Sequence, residues 1–300
     1  MGKDSHISWT DNTFNPWWGC TKCSIGCARC YAQTLAKRWG FDIWGDDKQR
    51  RFFGEKHWQE PLTWNKSAAA KGIKETVFCG SMCDIFEDRE DLNISRQRLW
   101  MLIQETPRLT WLLLTKRPEN IYSRIPAVWS SDGFPANIWL GVTVESPKYM
   151  WRYLEITKFQ TPRFISFEPL LDTSIGMFET GVDYEKEDRS KWINGGINRS
   201  PASIERWGGI FRYPYPDWVI IGGESGAGCR QMEIDGASRL NEQCLALGIP
   251  AFVKQLGGFP DKQDRIEEWP ADLQVQQFPD WYKTELLRKG FMEVTNETID

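Results

Sequence analysis

The chain has 300 residues, of which 41% are hydrophobic and 26% charged, with a formal net charge of −4. A chain this long buries roughly 75% of its unfolded surface and needs no disulfide or zinc staple to fold. A mean hydropathy of −0.51 excludes a membrane-embedded or disordered protein. The mild net charge also excludes a surface that gathers polyanions everywhere. The charge is uneven, however: residues 1–66 hold 10 basic and 7 acidic side chains, and residues 259–300 hold 5 and 10. No apolar run approaches about 18 residues, so no segment is expected to span a bilayer. The first 14 residues lack the apolar core of a secretory signal, so a cytoplasmic location is expected. Of 8 Cys, four crowd residues 20–30. Such crowding points to metal or redox chemistry before disulfides.

In chain order, a first strand is expected around residues 7–14. A cysteine loop rich in small residues follows, and then a helix over 31–39. β-rich runs occupy 76–78, 109–115, 138–144, 163–167, 218–221 and 251–253. Most are continuously apolar, as in strands buried on both faces. Helical patterns lie between them at 95–105, 149–158 and 237–247, the last ending at Gly248. Repeated strand–helix units predict an α/β chain with a parallel sheet, as a full or partial (β/α) barrel. Residues 172–215 are polar and rich in Gly, Asn, Ser and Pro. They read as a long insertion before the penultimate strand, and insertions of this length usually carry function. The expected domain is thus 1–258 with that insertion. An acidic extension, 259–300, packs on it and has a helix over 281–289. There is no internal repeat and no low-complexity tract.

The strongest motif is W-G-C-T-K-C-S-I-G-C-A-R-C-Y-A, residues 18–32. Cys20, Cys23, Cys27 and Cys30 can converge on one metal centre, which would deprotonate them. A zinc site meets the ligand count, but zinc ribbons usually separate two C-x-x-C knuckles by a dozen or more residues. Only Ser24 to Gly26 separate the pairs here. An iron–sulfur cube offers several iron corners to closely spaced thiolates and suits the loop better. His6 and His57 are too few for a histidine-based site or a Ser-His-Asp triad.

Cys23, Cys27 and Cys30 form C-x3-C-x2-C, the ligand spacing of radical SAM enzymes. Further blocks follow in order: W-T-D-N-T-F-N-P-W-W-G-C, G-C-A-R-C-Y-A, L-L-T-K-R-P, W-L-G-V-T-V-E, R-F-I-S-F-E-P-L-L, W-V-I-I-G-G-E-S-G and F-V-K-Q-L-G. Together they resemble a phage-associated, radical-SAM-like three-cysteine family of largely unassigned function, distantly similar to spore photoproduct lyase. The resemblance runs from about Trp9 to Gly257. It implies a barrel of the radical SAM type, a [4Fe–4S] cluster and S-adenosylmethionine (SAM). It also implies reductive cleavage to a 5′-deoxyadenosyl radical that abstracts hydrogen from substrate. That family places cysteines at the positions of Cys20, Cys27 and Cys30, whereas the superfamily spacing selects Cys23, so the third ligand stays open between Cys20 and Cys23. Tyr31 stands where it could stack on the adenine, or simply open a helix.

In a barrel the reacting groups stand at the C-terminal strand ends. Every strand here ends in polar residues, which water alone would also favour. Ser81 and Asp84 follow the run at 76–78. Gly222, Gly223, Glu224 and Ser225 could cradle a phosphate or the SAM methionyl group, or form a tight turn. Glu145, Glu168 or Glu224 could bind the SAM ammonium or ribose. Lys116 and Arg117 could pair with its carboxylate or a substrate anion. Lys116, Glu168 and Lys254 are the candidate catalytic groups. With them stands Cys83, as a hydrogen donor or as packing.

Seven of the 17 Trp precede residue 65. Packing is the default reading. The stretch 39–64, with Arg50, Arg51, Lys56 and Trp58, would also suit a stacked nucleobase. The expected function is a radical SAM enzyme acting on a nucleobase or a thymine-like nucleotide, in DNA modification or repair, with a flavodoxin- or ferredoxin-type electron donor. The rivals are a zinc-stapled nucleic-acid-binding protein and an iron–sulfur/SAM protein without radical chemistry.

Overall fold

A computed structural model of the chain describes residues 2, 3, 5, 7–172, 205–207, 210–212, 214–225, 228–258 and 265–290. Strands β1 (Asn12–Phe14) and β2 (Trp17–Trp18) lead into the cysteine loop and α1 (Tyr31–Arg38). After β3 (Arg51–Phe52) and α2 (Glu55–Lys71) come β4 (Glu75–Cys79), α3 (Asn93–Glu105), β5 (Leu109–Thr115), α4 (Ile121–Arg124) and α5 (Ala127–Asp132). The chain continues through β6 (Ile138–Thr143), α6 (Trp151–Ile156), β7 (Arg163–Phe167), β8 (Glu205–Trp207) and β9 (Ile210–Arg212). It then forms β10 (Trp218–Gly222), α7 (Ile234–Ala246), β11 (Ala251–Gln255) and α8 (Asp280–Arg288).

Seven strands form one sheet in the order β1-β4-β5-β6-β7-β10-β11. Every neighbouring pair is parallel. Each strand lies beside the one laid down before it, which is the winding of a (β/α) barrel. β11 does not pair with β1, so the barrel is partial. The outer face carries Val77, Leu113, Val142, Ile165, Val219 and Val253, which share one core with Leu99 and Ile103 of α3 and Leu240 of α7. The inner face carries a separate cluster of Trp9, Phe78, Leu112, Trp139, Phe164, Trp218, Ile220 and Phe252. Burial on both faces is why the strands read as unbroken apolar runs.

Side chains alternate along a strand, so residues two apart share a face. Along β6 the inward series runs Trp139, Gly141, Thr143. Along β7 it runs Phe164, Ser166, and along β11 Phe252, Lys254. Each begins with an aromatic ring and ends small or polar, so the interior is filled below and open above. Gly141 is required by this filling: a Cβ there would stand 2.1 Å from the Phe164 ring.

The described part of the C-terminal segment closes the lower end. Gln276 bridges Phe252, the backbone N–H of Val253 donates to Val275 at 2.8 Å, and that of Gln277 donates to Ala251 at 2.8 Å. Phe278 and Trp281 add to the inner aromatic cluster. Lys289 pairs with Asp11 at 2.7 Å, and Glu285 accepts from the backbone N–H of Lys74 at 2.7 Å. These contacts tie α8 to the N-terminal ends of the strands and cover an edge otherwise left open.

One expectation is corrected, and one helix is not visible in the sequence pattern. The first strand spans Asn12–Phe14 rather than 7–14, because residues 7–10 turn, with the N–H of Thr10 donating to Ile7. The 17-residue α2 was hidden by Pro61 in its interior, a residue that normally breaks helices. Of the insertion at 172–215, residues 173–204, 208, 209 and 213 lie outside the described residues. Its described part includes β8 and β9, which pair antiparallel. Residues 259–264 and 291–300 of the extension also lie outside them. Among the described residues no helix is long and apolar enough to cross a membrane.

Candidate functional site

A cavity of about 340 Å³ opens at the C-terminal ends of the strands. β4 and its following loop supply Phe78, Ser81, Cys83 and Asp84 to its walls. β5 supplies Thr115 with Lys116 and Arg117, β6 supplies Thr143, and β7 supplies Ser166 with Glu168. The β10 and β11 ends add Ser225, Lys254 and Gln255. The cysteine loop forms the opposing wall with Cys20, Cys23, Cys27, Cys30 and Tyr31. All four loop cysteines are free thiols. Thus thirteen candidate residues from the sequence meet in one place, and Glu145, Gly222, Gly223 and Glu224 do not line it.

The loop is held from several sides. Arg117 donates to Cys20 Sγ at 3.6 Å and to the Thr21 carbonyl at 2.5 Å. Asp84 fixes this arm: one oxygen accepts from Thr115 Oγ1 at 2.7 Å, the other from the backbone N–H of Lys116 at 3.0 Å, and Arg117 lies 3.5 Å away. Arg230 donates to the Ile25 carbonyl at 3.1 Å and pairs with Glu224. Burial pushes the Glu224 carboxyl up, but the Arg230 hydrogen bonds outweigh it and hold the group below its ordinary range.

Glu145 lies beneath the loop rather than in the cavity. It is fully buried, 2.7 Å from Arg152, and accepts a hydrogen bond from Ser24. A Cβ on Gly26 would stand 2.5 Å from its Oε1. Only glycine lets the loop settle on this carboxylate.

The thiols differ in charge state. A hydrogen bond from Cys23 pulls Cys27 down to about 4, opposed by burial and helped by Lys116. Cys23, the donor, is pushed far above its ordinary value. Burial raises Cys20 to about 12 despite Arg117. The buried Cys83 is also raised by burial, and its Sγ lies 3.7 Å from Asn15 Oδ1. Tyr31 has a half-exposed ring, while its hydroxyl is buried and donates to the Ser81 carbonyl at 2.7 Å.

Across the cavity, Lys254 Nζ lies 2.9 Å from Glu168 Oε1, an ion pair outside good hydrogen-bond angles. Gly222 is packed on Glu168, where a Cβ would come within 2.6 Å of Oε1. Gly223 crosses Gly257, whose Cα would lie 2.3 Å from a Cβ there. The glycines therefore serve close packing of β10 against its neighbours.

The profile of a family described as "Protein of unknown function (DUF5131)" matches residues 4–291. The chain belongs to this family. No curated protein matches this DUF5131 chain. A solved structure of a spore photoproduct lyase double mutant with bound AdoMet and dinucleoside spore photoproduct is similar at 11% identity and a TM-score of 0.41. The match covers 56% of this chain and 48% of that one, so the DUF5131 chain spans about half its length.

Sequence reasoning missed Arg152 and Arg230, the partners of Glu145 and Glu224 in the DUF5131 chain. Arg152 could have been noticed as a charged residue on the apolar face of α6. It also misplaced part of the 39–64 stretch. The Arg50 side chain is fully buried and paired with Glu87 at 2.7 Å, and Trp58 is in the core. Five of the seven early Trp are likewise buried: Trp9, Trp17, Trp44, Trp58 and Trp64. Trp39 is 47% exposed, and Trp18 stacks on it at 5.2 Å while lying 4.5 Å from the Arg51 guanidinium.

Proposed function

We propose that this DUF5131 protein is a radical SAM enzyme. Its cysteine loop holds a [4Fe–4S] cluster, and it acts on a nucleobase or a thymine-like nucleotide in DNA modification or repair. One observation carries this reading: four thiols face Lys116, Arg117, Glu168 and Lys254 across one cavity at the strand ends. The motif resemblance supports it.

The donor set fits a cluster. Four free thiols line the cavity with no histidine beside them among the described residues, so the donor set is sulfur-rich. Thiolates are the ligands of an iron–sulfur cube, which takes them at separate iron corners. Cys27 and Cys30 are two ligands, and the third is Cys20 or Cys23. The bound cluster would supply one electron to SAM and thereby a 5′-deoxyadenosyl radical.

The chain's own residues have the remaining roles. Arg117 beside Cys20 and Lys116 near Cys27 offset the negative charge of the thiolates. Asp84 positions both. Glu168 offers a carboxylate to the SAM ammonium, and Lys254 offers an ammonium to its carboxylate or a proton to substrate. Buried Met82 and Trp44 help keep water from the loop. Cys83 presents a protonated thiol to the cavity, the state that a hydrogen donor requires. A flavodoxin- or ferredoxin-type protein supplies the electron.

Anaerobic purification and reconstitution test the reading. Brown protein with about four iron and four sulfide per chain is expected, and dithionite with SAM should then yield 5′-deoxyadenosine. One zinc per chain and no colour would overturn it. A full cluster without 5′-deoxyadenosine would leave an iron–sulfur/SAM protein without radical chemistry.

A further inference from the structure

A second cavity, of about 400 Å³, lies beside the first. Helix α1 provides one wall. Tyr31, Thr34, Leu35 and Arg38 follow the i, i+3, i+4, i+7 pattern, so they share one helical face, and all four line the space. Arg29 of the cysteine loop and Ser225 beyond β10 also line it. Its volume falls in the range of small-molecule pockets, about 300–1,000 Å³.

The chemistry of the lining is one-sided. Two arginines, Arg29 and Arg38, line the space, and no Asp or Glu among the described residues does. Arg29 donates to the Gly228 carbonyl. The Arg38 side chain makes no hydrogen bond or ion pair among the described residues. It is an exposed cation at the end of the same face that begins with the half-exposed Tyr31 ring. A planar ring at one end and the Arg38 guanidinium, suited to bidentate contact, at the other complement an aromatic ligand bearing a phosphate. Tyr31 and Ser225 line both cavities. A ligand with its phosphate on Arg38 therefore presents its other end, past Tyr31, to the cysteine-lined cavity.

We infer that this second cavity binds the phosphate of a nucleotide, with the base directed along Tyr31 toward the first cavity. The inference deepens the proposed function and rests on it for the ligand's use, but binding itself requires neither cluster nor SAM. A phosphate monoester or a diester in a short strand would satisfy the same groups.

The test is calorimetric titration of the full-length, cluster-free protein with thymidine, thymidine 5′-monophosphate, the dinucleotide dTpdT and inorganic phosphate. Either phosphorylated ligand should bind at least about ten-fold more tightly than thymidine or phosphate alone. Arg38→Ala should remove at least that factor, as expected for a charge-assisted hydrogen bond, and Arg38→Lys should restore part of it. The tighter of the two phosphorylated ligands identifies the source of the phosphate. Because Arg38 holds nothing in place, circular dichroism of Arg38→Ala should match the parent. Equal binding of inorganic phosphate, or affinity unchanged in Arg38→Ala, would overturn the inference. Iron content and SAM cleavage in the Arg38 variants are read separately, so a failed nucleotide site and a failed radical SAM reading give different results.

Discussion

Replacing Glu145 with alanine should damage the protein from beneath the cysteine loop. The change removes the partner of Arg152, whose side chain is 1% exposed, and the acceptor of Ser24. Arg152 keeps its 2.8 Å bond to the Thr143 carbonyl, but its charge is left buried and uncompensated. Breaking a buried pair in this way costs about 3–5 kcal/mol. At about 2–4 °C per kcal/mol in domains of this class, the melting temperature should fall by roughly 6–20 °C. Thermal unfolding of the cluster-free, reduced protein by circular dichroism measures this. The double variant Glu145→Ala/Arg152→Met should recover much of the loss, because an apolar replacement of a whole buried pair is often near neutral. Alkylation of Cys23 and Cys27 should accelerate in both variants, since each lacks the Ser24 anchor. A melting temperature within about 1 °C of the parent would refute the reasoning. So would a double variant less stable than the single one.

Other outcomes follow from the same geometry. In the cluster-free protein Cys27 should remain an alkylatable thiolate as pH falls toward 4, because its charged form is favoured by the Cys23 hydrogen bond. Cys23→Ala should move Cys27 back toward an ordinary thiol, so its labelling at pH 6 should drop by about ten-fold or more. The two proteins should converge above pH 9, and equal rates at pH 6 would count against the pairing. Cys27→Ala and Cys30→Ala should each abolish iron binding. Comparing Cys20→Ala with Cys23→Ala by iron content and electron paramagnetic resonance identifies the third ligand, and full retention of iron in Cys27→Ala would exclude it as one. Gly223→Ala forces a Cβ onto Gly257 and should cost about 1–3 kcal/mol, visible as a lower melting temperature.

The sheet was legible because its residues report their own environment. Runs such as Leu109–Thr115 and Trp218–Gly222 are apolar on both faces, and only a strand covered twice has reason to be. The gathering of Ser81, Asp84, Lys116, Arg117, Glu168 and Lys254 was legible for a topological reason: parallel strands put all their C-terminal ends on one rim. The fate of individual charges was not legible. Glu145 and Glu168 both follow strands and look alike in sequence. One is buried against Arg152 and the other faces the cavity with Lys254. Arg50 was misread for the same reason, since Glu87 lies 37 positions away and no local pattern announces the pair. Glycines mislead too. The Gly222-Gly223 step reads as a cradle for a ligand, yet the atoms that crowd it belong to Glu168 and Gly257.

The aromatic filling below the strand ends has a kinetic consequence. Trp139, Phe164, Trp218 and Phe252, with α8 beneath them, make the barrel a cul-de-sac. Among the described residues this floor is filled, and the first cavity is reached from the strand-end side. In such a vessel occupancy has a sequence: whatever rests deepest arrives first and departs last. Where two ligands share the cavity, the one seated deeper against the aromatic floor is therefore the slower to exchange.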